Sequence, residues 1–177
     1  VEEHVVDRIA GKVGQSRDCG VAEQFDLWMQ KPEIGEDPFF SFLLLDAPHQ
    51  SYSFLPEYAV FEPYSEKVSY IELARTKDPV EIQKLKNRYK NSVLYADEIT
   101  RRILATLEEA GELENTLFVF LIDNGWANGS PAKGSAFERG LSTPVFVTWA
   151  QGIEGGRRLP AKLSSLDVYA TILDYAG

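Results

Sequence analysis

Thr116-Leu117-Phe118-Val119-Phe120-Leu121-Ile122, followed at once by Asp123-Asn124-Gly125, is the stretch that decides the fold class. The run is apolar without alternation, which is how a parallel strand covered on both faces reads. It stops at two residues with hard oxygen donors and a glycine that lets the backbone turn away. Two other runs share the pattern. Residues 39–45 follow Pro38, and residues 145–149 follow Pro144. Three buried strands are therefore expected.

Helices separate them. Asp78 suits an N-cap, Pro79 the first helical position, and Glu81 the capping-box partner. Ile82, Leu85, Tyr89, Val93, Ala96, Ile99, Ile103 and Leu107 then recur in steps of three and four, one apolar stripe, with Gly111 as the stop. A last helix starts at Ser164 with Asp167 as its capping partner, is expected to bury Leu166, Tyr169, Ala170 and Leu173, and ends at Gly177. Weaker helical patterns cover 21–30 and 5–13. Residues 50–77, rich in aromatics and proline, read as a long ordered loop. Strand–helix–strand order predicts an α/β fold, a mostly parallel sheet flanked by helices.

The chain has 177 residues, enough for one domain with a sizeable core, and a net charge of −9. That charge speaks against a nucleic-acid surface, which needs clustered Lys and Arg. No apolar run reaches the roughly 20 residues that span a bilayer, so a membrane anchor could lie only upstream. The single cysteine, Cys19, rules out an internal disulfide. With Asp18 beside it, it reads as an inert or buried thiol rather than a nucleophile.

In open α/β sheets ligands bind outside the carboxyl ends of strands. Asp46-Ala47-Pro48-His49 follows the first strand and Asp123-Asn124-Gly125 the second, so topology sends both to one edge. Asp123 and Asn124 offer oxygens to Ca²⁺ or Mg²⁺, or else form an Asx turn. His49 can protonate a leaving group, or simply cap a surface loop. Lys133, in a glycine- and serine-flanked loop, can reach anionic ester oxygens or stay solvated. Arg139 can do the same, or pair with Glu138. The aromatics from Tyr52 to Tyr70 read as packing under a loop rather than a sugar platform.

Taken in order, residues 38–49, 95–111, 114–125, 133–140, 143–145 and 165–177 resemble the later part of a sulfatase catalytic domain, within the alkaline-phosphatase-like superfamily. The resemblance implies a single partial sulfatase-like domain over 1–177. Its nucleophile-bearing N-terminal part and small C-terminal subdomain would lie outside these residues. It implies Asp123 and Asn124 as metal ligands, Lys133 and Arg139 at the sulfate or phosphate, and His49 near the scissile oxygen. It also implies a divalent metal, Ca²⁺ or else Mg²⁺, and a formylglycine nucleophile supplied from elsewhere. The substrate would be a small-molecule or glycan sulfate ester, and the location periplasmic or secreted. The family's early aspartate pair and its Cys- or Ser-x-Pro-x-Arg segment are not found in this sequence, so the chain alone is expected to be inactive. The segment from Gln50 to Tyr70 and Asn87-Arg88-Tyr89 look more like periplasmic phosphoethanolamine- or phosphoglycerol-transferase relatives, or a phosphodiesterase of the superfamily. Asn124, where those relatives carry histidine, favours the Ca²⁺-type sulfatase site. A non-catalytic binding or structural module is the remaining reading.

Overall fold

The computed structural model describes residues 17–32, 34, 38–123 and 143–177. Its elements run α1 (Arg17–Met29), a 3₁₀ turn (Pro56–Tyr58), α2 (Tyr70–Thr76), α3 (Pro79–Glu109), a second 3₁₀ turn (Leu113–Asn115), β1 (Phe118–Leu121), β2 (Val145–Thr148) and α4 (Ser165–Ala176). The expected helix over 5–13 lies outside the described residues.

The 31-residue α3, about 46 Å long at the usual rise, organises everything else. Asp78 caps it by accepting the Val80 N–H at 2.9 Å, with Pro79 in the first turn. Glu81 does not close the expected capping box but pairs with Lys84. At the other end Gly111 takes φ +77°. Its N–H reaches Glu108 C=O at 3.0 Å and the Glu112 N–H reaches Leu107 C=O at 2.9 Å, the paired bonds of a Schellman stop. A residue with a Cβ would be strained in that left-handed conformation.

Two apolar clusters sit along the helix. Tyr95, Ile99, Ile103 and Leu107 are buried against Ala22, Phe25 and Met29 of α1 and against Ala47 and Phe54. Nearer the N-terminus, Leu85 packs with Tyr52 and with Leu73 of α2. The expected stripe is thus real except at Val93, which is exposed. α2 falls within the stretch expected as loop: its seven residues are too few for periodicity to show, and they are set by the Ser69 cap and the left-handed Lys77 at its end.

The strands depart from expectation in two ways. β1 and β2 pair antiparallel, Phe118 opposite Thr148 and Leu121 opposite Val145. Hydrophobicity reports cover, not direction; direction is set by the connection, and only a parallel pair needs a crossover. Residues 39–45, expected as a strand, form none. Phe39, Leu43 and Leu45 pack on the main cluster while Phe40, Phe42 and Leu44 are 72%, 74% and 72% exposed. Trp28 meets Phe39 edge-on at 5.3 Å, which fixes the inward face. The three runs are therefore not buried on both sides.

α4 has the expected capping box, Ser164 with Asp167. The expected buried face is not buried, however: Leu166, Tyr169, Ala170 and Leu173 are exposed, and the half-buried residues are Val168 and Ile172. This helix is apolar nearly all round, so periodicity cannot choose its inward face. Long-range partners do: Tyr175 meets Trp149, just after β2, edge-on at 5.0 Å and its hydroxyl donates to Asn115 C=O at 2.9 Å.

Candidate functional site

The Asp46–His49 turn is built as a rigid corner. His49 N–H donates to Asp46 C=O at 3.0 Å, and Ser53 N–H donates to Ala47 C=O at 3.0 Å. From α1, the fully buried Asp18 carboxylate accepts Asp46 N–H at 2.9 Å on Oδ1 and Ala47 N–H at 2.8 Å on Oδ2. Arg17 pairs with Asp46 Oδ2 at 2.5 Å, and Asp46 Oδ1 stands 3.9 Å from His49 Nδ1. Burial pushes the Asp18 carboxyl above its ordinary value, with the Asp46 charge adding to the rise. The two N–H bonds and Arg17 oppose it. Both oxygens accept N–H donors, an arrangement that fits the ionised form.

His49 is more than half exposed at this corner. Asp123 is exposed immediately after β1. The shared edge of a parallel sheet expected for the two is not formed among the described residues, since no strand precedes His49 and β1 pairs antiparallel with β2. Asn124, Lys133 and Arg139 lie outside the described residues. Among the described residues no group of three or more His, Cys, Asp or Glu side chains could hold a metal ion. Asp123 brings one carboxylate, and the described residues do not by themselves make a metal shell.

Several residues that position this region were not singled out from the sequence. In the sequence Asp18 stands out only as a neighbour of Cys19; an acid opening a helix is the available signal. Arg88 donates from Nε to Ser51 C=O at 2.7 Å and from Nη1 to Ser65 and Glu66 C=O at 2.8 and 3.1 Å, its guanidinium lying over the Phe54 ring. Burial draws that guanidinium below its ordinary value, while Tyr64 and Tyr70 act in the other direction. With Phe54, Pro56, Tyr64 and Glu66 it lines a cavity of about 250 Å³. Asn91, buried, pairs with both backbone groups of Phe61, and Asn87 donates to Pro63 C=O. Polar residues four apart on the buried face of a long helix were the signal here. Cys19 is half-buried, its Sγ 3.2 Å from the Tyr95 hydroxyl, which also accepts the Cys19 N–H.

No described helix is long and apolar enough to cross a membrane. The sulfatase family profile matches residues 10–177. N-acetylglucosamine-6-sulfatase of Homo sapiens is 26% identical over 162 residues, 80% of this chain and 29% of that protein. N-acetylglucosamine-6-O-sulfatase of Bacteroides thetaiotaomicron is 33% identical over 92 residues, 50% of this chain and 16% of that protein. Steryl-sulfatase of Mus musculus is 30% identical over 109 residues, 52% of this chain and 18% of that protein. The chain thus spans 29% or less of the length of these three relatives. No solved structure matches it.

Proposed function

The chain belongs to the sulfatase family, and from that premise we propose that the intact protein hydrolyses the sulfate ester of a sugar, with residues 1–177 supplying one part of the active site. The observation that carries this reading is the His49 corner, a half-exposed imidazole on a turn whose backbone is held from α1. The sugar class draws support from the names of relatives such as the two N-acetylglucosamine sulfatases. The sheet is proposed to be completed, largely in parallel, by segments beyond these residues, which would cover Phe40, Phe42 and Leu44.

The net reaction is a sulfate ester plus water giving an alcohol and sulfate. A nucleophile from outside residues 1–177, a formylglycine hydrate by family resemblance, would when present supply the attack on sulfur that displaces the leaving oxygen, and restoring it would release sulfate and take up the water of the net reaction. His49 gives that oxygen its proton. Lys133, with Arg139, compensates charge on the non-bridging oxygens. Asp123 and Asn124 are assigned as two oxygen donors to a divalent cation, Ca²⁺ by residue type, which when bound would supply further charge compensation.

The test is turnover of glucosamine 6-sulfate, an aryl sulfate and an aryl phosphodiester by the intact protein, with nucleophile maturation verified by mass. Sulfate release that falls at least tenfold in His49→Ala supports the reading. Turnover of the phosphodiester alone replaces it with the phosphoryl-transfer reading, and background rates on all three leave a binding module. Ca²⁺ titration of wild type and Asp123→Ala followed by calorimetry tests the metal assignment separately; equal affinity would sink it.

A further inference from the structure

Arg17 and Asp18 open α1 and both reach the turn that ends in His49. The Asp18 carboxylate is fully buried, and each of its oxygens takes one of two consecutive N–H groups, Asp46 at 2.9 Å and Ala47 at 2.8 Å. Keeping a charge away from water is costly unless it is well bonded, and charge-assisted bonds to two successive amides are both strong and directional. Those two amides lie three and two residues before His49. The same two residues accept in turn from His49 N–H and Ser53 N–H through their carbonyls, both at 3.0 Å, so this stretch of backbone is held from two sides.

Arg17 acts on the side chains. Its Nη1 engages Asp46 Oδ2, which leaves Asp46 Oδ1 toward His49 Nδ1 at 3.9 Å. Asp46 is thus fixed at its amide by one α1 residue and at its carboxylate by the next.

We propose that Asp18, together with Arg17, is a positioning residue for sulfate ester cleavage, setting where the His49 imidazole stands through the Asp46–Ala47 backbone and the Asp46 carboxylate. The inference rests on the role given to His49 above. Neither α1 residue touches the ester; each works through the turn.

A double-mutant cycle in the intact protein tests it, reading kcat and KM for the sulfate ester it turns over. Asp18→Asn keeps the shape but replaces one acceptor with a donor facing an N–H. It is expected to lower kcat about tenfold with KM changed less than about twofold, against a loss of about a hundredfold for His49→Ala. In the His49→Ala background Asp18→Asn should cost less than about twofold more, because residues acting through one group are not additive. A full tenfold loss in that background would mean that Asp18 serves the fold at large and would overturn the proposal. So would an Asp18→Asn enzyme with wild-type kcat beside an impaired His49→Ala enzyme. His49→Ala with wild-type kcat would instead remove the reading of His49, a distinguishable failure. If Asp18→Asn does not fold, Arg17→Met serves, since Arg17 is half exposed. A kcat loss of about threefold that vanishes in the His49→Ala background supports the proposal, and no loss overturns it.

Discussion

Deleting the Asn91 carboxamide is expected to free the loop around Phe61 from α3 at a measurable cost. Asn91 is fully buried and both halves of its amide serve one residue. Phe61 N–H donates to Oδ1 at 2.8 Å, and Nδ2 donates to Phe61 C=O at 3.1 Å. Asn91→Ala removes both bonds, each contributing about 1 kcal/mol net, and orphans two backbone groups that cost ~1–3 kcal/mol apiece if they stay dry. Phe61 is 38% exposed, so water can reach its backbone once the carboxamide is gone. That puts the expected loss at about 2–3 kcal/mol rather than the ~4–8 kcal/mol of a sealed site. Asn91→Asp separates the terms. It keeps the acceptor for Phe61 N–H but sets a carboxyl oxygen against Phe61 C=O, so its loss should grow as the pH rises and the carboxyl ionises. Urea unfolding followed by far-UV circular dichroism gives the stability, and amide exchange at Phe61 gives the local opening. A loss under about 0.5 kcal/mol for Asn91→Ala with unchanged Phe61 exchange would refute the claim that this pairing holds the loop.

Arg88→Lys should cost about 1–3 kcal/mol and speed proteolytic nicking within residues 50–66, because one ammonium cannot serve three carbonyls in a fixed fork; nicking at the wild-type rate would count against the clamp. Leu107→Ala is expected to lose about 2–5 kcal/mol in a chemical melt, while Leu166→Ala stays within about 0.5 kcal/mol, since the first is buried and the second exposed. Equal losses would mean that α4 has a packed face that the structure does not show. For Asp18, a carboxyl raised by burial binds its proton more tightly folded than unfolded. Its contribution to stability is then greatest below the ordinary value of 3.8, falls as the pH rises through the raised one, and is flat above. Asp18→Asn should remove that downward slope from a stability–pH profile, and an identical slope in the variant would exclude Asp18 as its source.

The ends of α3 and α4 were legible because caps are local chemistry. Asp78-Pro79, Gly111, and Ser164 with Asp167 each satisfy backbone groups within a few residues of themselves. The α3 stripe was legible for a similar reason: a helix that covers a core must repeat its apolar residues at the helical period. The site was legible only in part. His49 and Asp123 were picked out from the sequence, whereas Asp18, Arg88 and Asn91 act on backbone groups 22 to 37 residues away in sequence. No local pattern marks such partners.

By itself, then, the sequence determined the strands β1 and β2, the helix α4, where the long helix starts and stops, and the ordered motifs that mark the family. Periodicity, capping and turn chemistry depend on neighbours a few positions apart. Only the tertiary structure decided that β1 and β2 run antiparallel, that residues 39–45 bury one face, that α4 turns Val168 and Ile172 inward, and that Asp18 grips the His49 corner. Each of those outcomes is a choice of partner across a long stretch of chain. It is set by which surfaces and donors meet once α3 and α1 have packed, and hydrophobicity along the chain carries no record of it.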